Sequence, residues 1–144
     1  MNIIKNIIAF AASTFVSVGA IGCNSHREGI STVDATEFAK EVASEDTPQL
    51  VDVRTPAEFA DGHLPGAINI DIQSDSFDKV STSTLSKDKP VYVYCRSGKR
   101  SLTAADHLVD NGYKVVNLKG GILEWNAQGM PLATSATDND SQQD

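Results

Sequence analysis

The sequence predicts an α/β domain whose sheet is mostly parallel and is covered by helices on both faces. Strand-like runs alternate with helix-like segments from Ile30 to Leu132, which is the pattern of parallel strands joined by helical connections. The run from Pro90 to Tyr94 is apolar on both faces apart from its tyrosine hydroxyls, as expected for a strand inside such a sheet. With 144 residues, 40% of them hydrophobic, the chain has apolar surface for one core and one domain.

Capping residues mark the elements of the first half of the chain. A brief strand from Ile30 to Val33 precedes D-A-T-E, in which Asp34 is the predicted N-cap of a helix. The next predicted strand covers residues 50–54 and leads into T-P-A-E. Thr55 at the N-cap, proline at N1 and Glu58 at N3 predict that a second helix starts there.

The remaining elements are predicted from apolar runs and glycines. A third strand is expected near residues 67–70, and the Ser/Thr run 81–84 is interpreted as a loop or cap. A helix over residues 101–111, a strand over 113–118 and a last helix beginning at Lys119 complete the alternation. The helix over 101–111 is expected to bury an apolar face made of Leu102, Ala105, Leu108 and Val109.

Charge and cysteine content exclude several classes of protein. The formal net charge is −7 and no basic stripe exists outside one loop, which argues against binding of nucleic acid. The two cysteines are too few for a disulfide framework. No Cys/His cluster has the spacing of metal ligands, so we expect no metal and no other cofactor.

The N-terminus has the features of a signal peptide at residues 1–22. Lys5 precedes a mostly apolar run over residues 7–21, which is short for a membrane-spanning helix. The segment A-I-G-C, ending at Cys23, resembles the lipobox of bacterial lipoproteins, although Ala20 stands where leucine is more common. The resemblance implies that Cys23 is lipidated and that residues 23–29 tether a domain to a membrane facing the periplasm of the bacterial cell envelope. The alternative is ordinary cleavage that leaves a free cysteine.

The motif that carries chemistry is C-R-S-G-K-R-S, from Cys95 to Ser101. It lies between the apolar strand and a helix-like segment, and three cationic residues follow the cysteine within five positions. A helix N-terminus and nearby cations both lower the pKa of a thiol, and Gly98 lets the backbone approach a bound group. The motif therefore predicts a thiolate nucleophile that attracts an anionic substrate, rather than an inert buried cysteine.

Three segments resemble the single-domain rhodaneses, a family of sulfurtransferases. They are the Cys95 loop, D-V-R-T-P-A-E-F-A-D-G-H-L-P-G-A-I-N-I from Asp52, and G-G-I-L-E-W with G-M-P-L from Gly120. The resemblance implies the rhodanese fold over residues 30–132, with five strands and helices on either side. Residues 133–144 lack apolar periodicity and are expected to be a disordered tail.

The resemblance also implies roles for individual residues. Cys95 would carry sulfur as a persulfide, while Asp52 and Arg54 would support the loop or form a structural ion pair. His63 is expected to pack within its turn and His107 to be solvated, so no Cys–His dyad is indicated. Substrate would be bound by the residues that follow the cysteine: Arg96, Ser97, Gly98, Lys99, Arg100 and Ser101.

The function expected from this resemblance is transfer of sulfur from thiosulfate or a similar small anionic donor to a thiol or cyanide, by a monomer. A rhodanese-like phosphatase or arsenate reductase is the first alternative, but those enzymes use a longer loop, C-x5-R, where this chain has C-x4-R between Cys95 and Arg100. The second alternative is a module without turnover, which carries a persulfide or docks onto an envelope partner.

Overall fold

The computed structural model describes residues 27–138. The strands are β1 (Ile30–Val33), β2 (Gln49–Asp52), β3 (Ile68–Asn69), β4 (Val91–Tyr94) and β5 (Val115–Leu118). The helices are α1 (Ala35–Ser44), α2 (Pro56–Asp61), α3 (Phe77–Thr84), α4 (Lys99–Asp110), α5 (Gly121–Ala127) and α6 (Ser135–Asp138).

The five strands form one sheet in the order β1-β5-β4-β2-β3, and every pair is parallel. This confirms the expected α/β architecture. Strand β4 lies in the middle of the sheet, between β5 and β2. Because the strands are parallel, the segments that follow β2 and β4 leave the sheet at the same edge, where open α/β sheets place their ligands.

Each face of the sheet has its own apolar core. Alternate residues of β4 divide between the two cores, since successive side chains of a strand point to opposite faces. Val91, Val93 and Cys95 belong to the core that includes residues of α3 and α4. Tyr92 and Tyr94 belong to the core that includes residues of α1 and α5. The cysteine side chain therefore leaves the end of β4 on the α4 side of the sheet.

The predicted caps in the first half of the chain are confirmed. The Asp34 carboxylate accepts a hydrogen bond from the Glu37 amide at 2.9 Å. Thr55 and Glu58 form a complete capping box at the start of α2, with proline in its first turn. These local hydrogen bonds fix where α2 begins, and hence where Glu58 stands relative to the end of β2.

Two local predictions are wrong. Residues 81–84 are the last turn of α3 and not a loop, because Phe77 and Ser81 face the core. Leu102 is 45% exposed and does not belong to the buried face of α4. The buried face includes Ser101, whose hydroxyl contacts the Cys95 sulfur, and it consists of Ser101, Ala104, Ala105 and Leu108.

Residues near both ends of the described range bond to the rest of the domain. Arg27, within the predicted tether, forms ion pairs with Asp106 and Asp110 of α4. Past Leu132, the predicted end of the domain, Ala133 exchanges backbone hydrogen bonds with His63. The helix α6 follows, so the first part of the expected tail has regular structure.

The predicted signal peptide, Cys23 and residues 139–144 lie outside the described residues. Between residues 27 and 138, no helix combines the length and apolar character that crossing a membrane requires.

Candidate active site

The Cys95 loop connects the end of β4 to the start of α4. Gly98 precedes α4 with a φ of 100°, a left-handed conformation that glycine adopts without steric cost. This conformation closes the loop within three residues, so that the Gly98 amide donates to the Cys95 Sγ at 3.1 Å. The predicted need for glycine at this position is thus explained by backbone geometry.

The Cys95 sulfur is almost fully enclosed, with 1% of the residue exposed. Its Sγ lies 3.3 Å from the hydroxyl oxygen of Ser101, which is itself fully buried. The thiol donates to this oxygen, and the ionised sulfur accepts a hydrogen bond from the hydroxyl. Ser101 thus becomes a direct partner of the sulfur because it stands in the first turn of α4.

Two opposing effects act on the pKa of the Cys95 thiol. Burial raises it, and hydrogen bonds from the Ser101 hydroxyl and from the amides of Ser101, Gly98 and Ser97 lower it. The net result is a pKa below the ordinary value, because hydrogen bonds to a charged form favour that form. The largest effects that lower it come from these donors and not from the cationic side chains of the loop.

Arg100 is bound to α2 instead of being free in the loop. Its two terminal nitrogens each donate to one carboxylate oxygen of Glu58 at 2.8 Å. This two-point ion pair lowers the pKa of Glu58 to about 2. The pair ties the first turn of α4 to the first turn of α2 across the active-site edge.

Asp52 and Arg54 form a buried ion pair. Arg54 donates from Nε and Nη2 to both Asp52 oxygens at 2.7–3.1 Å, and Nη2 also donates to the carbonyl of Gly62 at 2.6 Å. The Arg54 guanidinium lies 5.9 Å from the centre of the Tyr94 ring, which precedes Cys95. The sequence left open whether Asp52 and Arg54 form a structural ion pair, and the structure shows that they do. The pair packs against β4, the strand that carries the loop.

A pocket of about 310 Å³ lies beside the loop. Its charged wall consists of Arg54, Glu58, Asp61 and Arg96, and Leu123 and Leu132 supply part of its apolar wall. Arg96 is exposed, and no ion pair to it is present among residues 27–138. Its position next to Cys95 gives the pocket a cation directly beside the loop.

The two described histidines lie away from the sulfur's immediate contacts. His63 is buried, stacks on Phe59 with 3.9 Å between ring centroids, and has its Nδ1 2.9 Å from the Phe59 carbonyl oxygen. His107 is half-exposed and its Nδ1 lies 3.2 Å from Asp78 of α3. No Cys–His contact is found within the described part of the chain.

Sequence reasoning missed the contacts that cross from one element to another. Glu58 was explained fully by its helix cap, so nothing indicated that it also binds Arg100, 42 residues away. Tyr94 was interpreted only as a strand residue, yet its hydroxyl accepts from the Leu64 amide at 3.0 Å. Burial raises the pKa of Tyr94, which keeps this hydroxyl protonated next to the active loop.

Comparison with known proteins places the chain in a family. A family model described as the rhodanese-like domain matches residues 34–128. A protein of Allochromatium vinosum named sulfurtransferase is 36% identical over 104 residues, which cover 72% of this chain and 94% of that protein.

Solved structures give the same result. The crystal structure of a rhodanese-like domain protein from Staphylococcus aureus aligns with a TM-score of 0.63 and 30% identity, covering 73% of this chain and 98% of that one. A rhodanese-related protein from Thermoplasma volcanium aligns with a TM-score of 0.62 and 29% identity, covering 72% and 97%. The order of strands, the loop that encloses Cys95 and these alignments lead to one conclusion: this chain belongs to the rhodanese-like sulfurtransferase family.

Proposed function

We propose that the protein transfers sulfane sulfur from a small anionic donor, such as thiosulfate, to a thiol or to cyanide through a persulfide on Cys95. The observation that carries the proposal is the enclosure of one sulfur atom by hydrogen-bond donors, which favour its charged form. The same donors would stabilise the negative charge of a persulfide, as preorganised donors do for other anions in active sites.

The proposed first half-reaction breaks one S–S bond and forms another. The Cys95 thiolate attacks the outer sulfur of thiosulfate, and the electron pair of the original S–S bond leaves with sulfite. In the second half-reaction an acceptor thiolate attacks the outer sulfur of the persulfide and releases the Cys95 thiolate. Cyanide as acceptor gives thiocyanate by the same displacement, so the kinetics should be ping-pong.

The acceptor has to come from outside the described domain. Cys95 is the only cysteine between residues 27 and 138, so no thiol of that region is available to attack the persulfide. The pocket beside the loop, with Arg96 in its wall, supports entry of an anionic donor from that side.

Mass spectrometry of the intact protein tests the chemistry directly. After incubation with thiosulfate, we expect one added sulfur atom on Cys95, which cyanide removes with formation of thiocyanate. Cys95→Ala should gain no sulfur and have no transferase activity. Wild-type levels of transfer in Cys95→Ala would overturn the proposal, and a persulfide that forms but is not discharged by cyanide or small thiols would favour the carrier without turnover.

Arg96 is proposed to attract the anionic donor. Replacing it by alanine removes an exposed cation next to Cys95, so we expect a higher KM for thiosulfate and a kcat that changes less. Arg96→Lys should restore part of the affinity because it keeps the charge. Arg27→Ala is the control for loss of an exposed arginine, because Arg27 contacts the end of α4 that is far from Cys95. A KM for thiosulfate that rises equally in both variants would contradict the assignment.

The phosphatase and arsenate reductase alternatives receive less support from this geometry. The arginine that ends the C-x4-R motif, Arg100, has both terminal nitrogens bound to Glu58. It is therefore committed to another side chain and not to an oxyanion in the loop. Hydrolysis of an aryl phosphate by the wild-type protein, lost in Cys95→Ala, would revive these alternatives.

We further propose that Cys23 anchors the domain to a bacterial envelope membrane. Arg27 precedes β1 at the amino edge of the sheet, whereas Cys95 follows β4 at the carboxyl edge. An anchored domain would therefore present its active loop away from the point of attachment, toward soluble donors and acceptors. We expect Cys23→Ser to shift the protein from the membrane fraction to the soluble fraction, and an unchanged distribution would contradict the anchor.

A further inference from the structure

The glycine pair Gly120 and Gly121 belongs to a segment that has no part in the proposed chemistry. It connects β5 to α5, and both glycines have left-handed backbone conformations, with φ of 76° and 59°. This connection lies directly against the Cys95 loop, because a Cβ atom on Gly98 would come within 3.3 Å of the Gly120 nitrogen. The two loops are thus packed backbone to backbone.

Two amides of α5 are bound to the carbonyl groups of the active loop. The Ile122 amide donates to the Cys95 carbonyl at 2.9 Å, and the Leu123 amide donates to the Arg96 carbonyl at 3.1 Å. The first amides of a helix have no partner within the helix, so these two are available for the loop. The contact therefore fixes two successive peptide groups, Cys95–Arg96 and Arg96–Ser97.

Only glycine fits at position 121 in this arrangement. A Cβ atom there would lie 2.4 Å from the Arg96 carbonyl oxygen and 2.5 Å from the Cys95 carbonyl oxygen. Contacts this short with backbone atoms force one of the two segments to move. A side chain at Gly121 would therefore separate α5 from the carbonyls that its amides hold.

The orientation of a carbonyl decides the orientation of the amide in the same peptide group. In a planar trans peptide the C=O and the N–H point in opposite directions. Because the Leu123 amide holds the Arg96 carbonyl on the α5 side, the Ser97 N–H of that peptide points to the other side. The Ser97 amide contributes to lowering the pKa of the Cys95 thiol, and the next amide along the loop, that of Gly98, donates to the Cys95 Sγ at 3.1 Å. Fixing the Arg96–Ser97 peptide therefore fixes the segment from which these amides reach the sulfur, and the bond from α5 also polarises the Ser97 N–H.

We propose that Gly121 is a positioning residue for Cys95: it lets α5 bind the loop carbonyls closely, and this contact directs the loop amides at the sulfur. The residue touches neither donor nor acceptor and acts only through the loop backbone. The proposal rests on the proposed role of Cys95 as a thiolate nucleophile, but not on the identity of the sulfur donor or acceptor.

The pH dependence of alkylation tests the proposal without any sulfur substrate. The rate of reaction with iodoacetamide follows the thiolate fraction, so its midpoint gives the pKa of the Cys95 thiol. In Gly121→Ala we expect that midpoint to move up by roughly one pH unit, with about tenfold slower alkylation below it. Cys95→Ala gives the background rate, and Cys23→Ser in all proteins leaves Cys95 as the only reactive cysteine.

Gly129→Ala is the matched control. Gly129 follows the other end of α5 with a φ of 72°, and a Cβ atom there would meet nothing within 4 Å. Both variants thus place alanine in a left-handed conformation, but only Gly121→Ala disturbs the loop. An unchanged midpoint in folded Gly121→Ala, or an equal shift in Gly129→Ala, would overturn the proposal.

A measurement on the protein without substitution at Gly121 decides the case if Gly121→Ala does not fold. In NMR spectra recorded over a pH series, the Leu123 amide proton should titrate with the midpoint of the Cys95 thiol, because the Arg96–Ser97 peptide couples them. The Gln128 amide, which bonds within α5 to Glu124, should not follow that midpoint, and alkylation of Cys95 should abolish the Leu123 titration. A Leu123 amide that ignores the thiol would overturn the proposal even if sulfur transfer were confirmed.

Discussion

Two ion pairs lie at the active-site edge of the sheet, and they differ in burial and in what they connect. Asp52–Arg54 is closed within one short segment, and its side chains are 0% and 7% exposed. Glu58–Arg100 joins α2 to α4, and its side chains are 30% and 27% exposed. The same chemistry thus serves two purposes: the first pair holds the end of β2, and the second connects the loop helix to its neighbour.

The difference in burial determines how each pair responds to change. A buried pair is costly to break, because the remaining partner stays charged in a medium of low dielectric constant. A partly exposed pair is weaker, because water and salt screen it. We therefore expect loss of the Asp52–Arg54 pair to lower the free energy of unfolding more than loss of the Glu58–Arg100 pair, whose role is to connect the loop helix α4 to α2.

The largest effect is expected from Asp52→Ala. It leaves the buried Arg54 guanidinium without its carboxylate, and breaking a buried pair in this way costs roughly 3–5 kcal/mol of unfolding free energy. Urea unfolding monitored by Trp125 fluorescence measures the loss. A loss below about 1 kcal/mol, as exposed pairs give, would show that the two pairs do not differ as proposed.

Glu58→Gln should have a smaller effect, of about 1 kcal/mol, because the pair that it breaks is partly exposed. Glutamine at N3 preserves the capping box of α2, so the variant isolates the charge pair from the helix cap. A double-mutant cycle with Arg100→Gln measures the coupling. Additive losses in the double variant would mean that the two side chains contribute independently.

Acid should remove the stabilisation that the Glu58–Arg100 pair contributes only at low pH, because the carboxylate has to be protonated first. The pKa of Glu58 is lowered to about 2, from about 4.3 in an unfolded chain. Its stabilisation is therefore complete above about pH 4.3 and is lost as the pH falls toward about 2. Unfolding free energies of wild type and Glu58→Gln should converge over this interval, and a constant difference down to pH 2 would contradict the lowered pKa.

The smallest effect on stability is expected from Lys99→Ala. Lys99 is exposed and the described residues offer it no ion pair, so its removal should change the unfolding free energy by less than about 0.5 kcal/mol. If its charge attracts the donor, the KM for thiosulfate should rise, and 0.5 M salt should reduce the difference from wild type. A salt-independent difference would indicate a direct contact instead.

The alternation of strands and helices was predictable because it depends on local patterns. Strand β4 was identified from its apolar run, and α2 from Thr55 and Glu58 at its start. Leu102 shows the limit of this approach: its spacing suits an apolar face, but α4 is rotated so that Ser101 and Ala104 are buried instead. Rotation of a helix about its axis depends on its partners, and these are not visible in a local pattern.

The candidate site, too, was predictable only in part. The sequence placed Cys95, Gly98 and the surrounding charges in one loop, because they are neighbours in the chain. It did not reveal that Arg100 is bound by Glu58, or that Gly121 lies against the Cys95 and Arg96 carbonyls. Such contacts join segments that are 42 and about 25 residues apart, and only the assembled sheet brings them together.

By itself, the sequence determined the class of fold and predicted Cys95 as the nucleophile in a short loop, since each is encoded in a continuous stretch. The tertiary structure alone decided which groups act on the sulfur. The thiol pKa is lowered by amides and a hydroxyl whose directions depend on backbone packing. Of the cations nearby, Arg100 is bound to the carboxylate of Glu58. Hydrogen bonds require a particular direction as well as proximity, and direction is fixed only when the elements have packed.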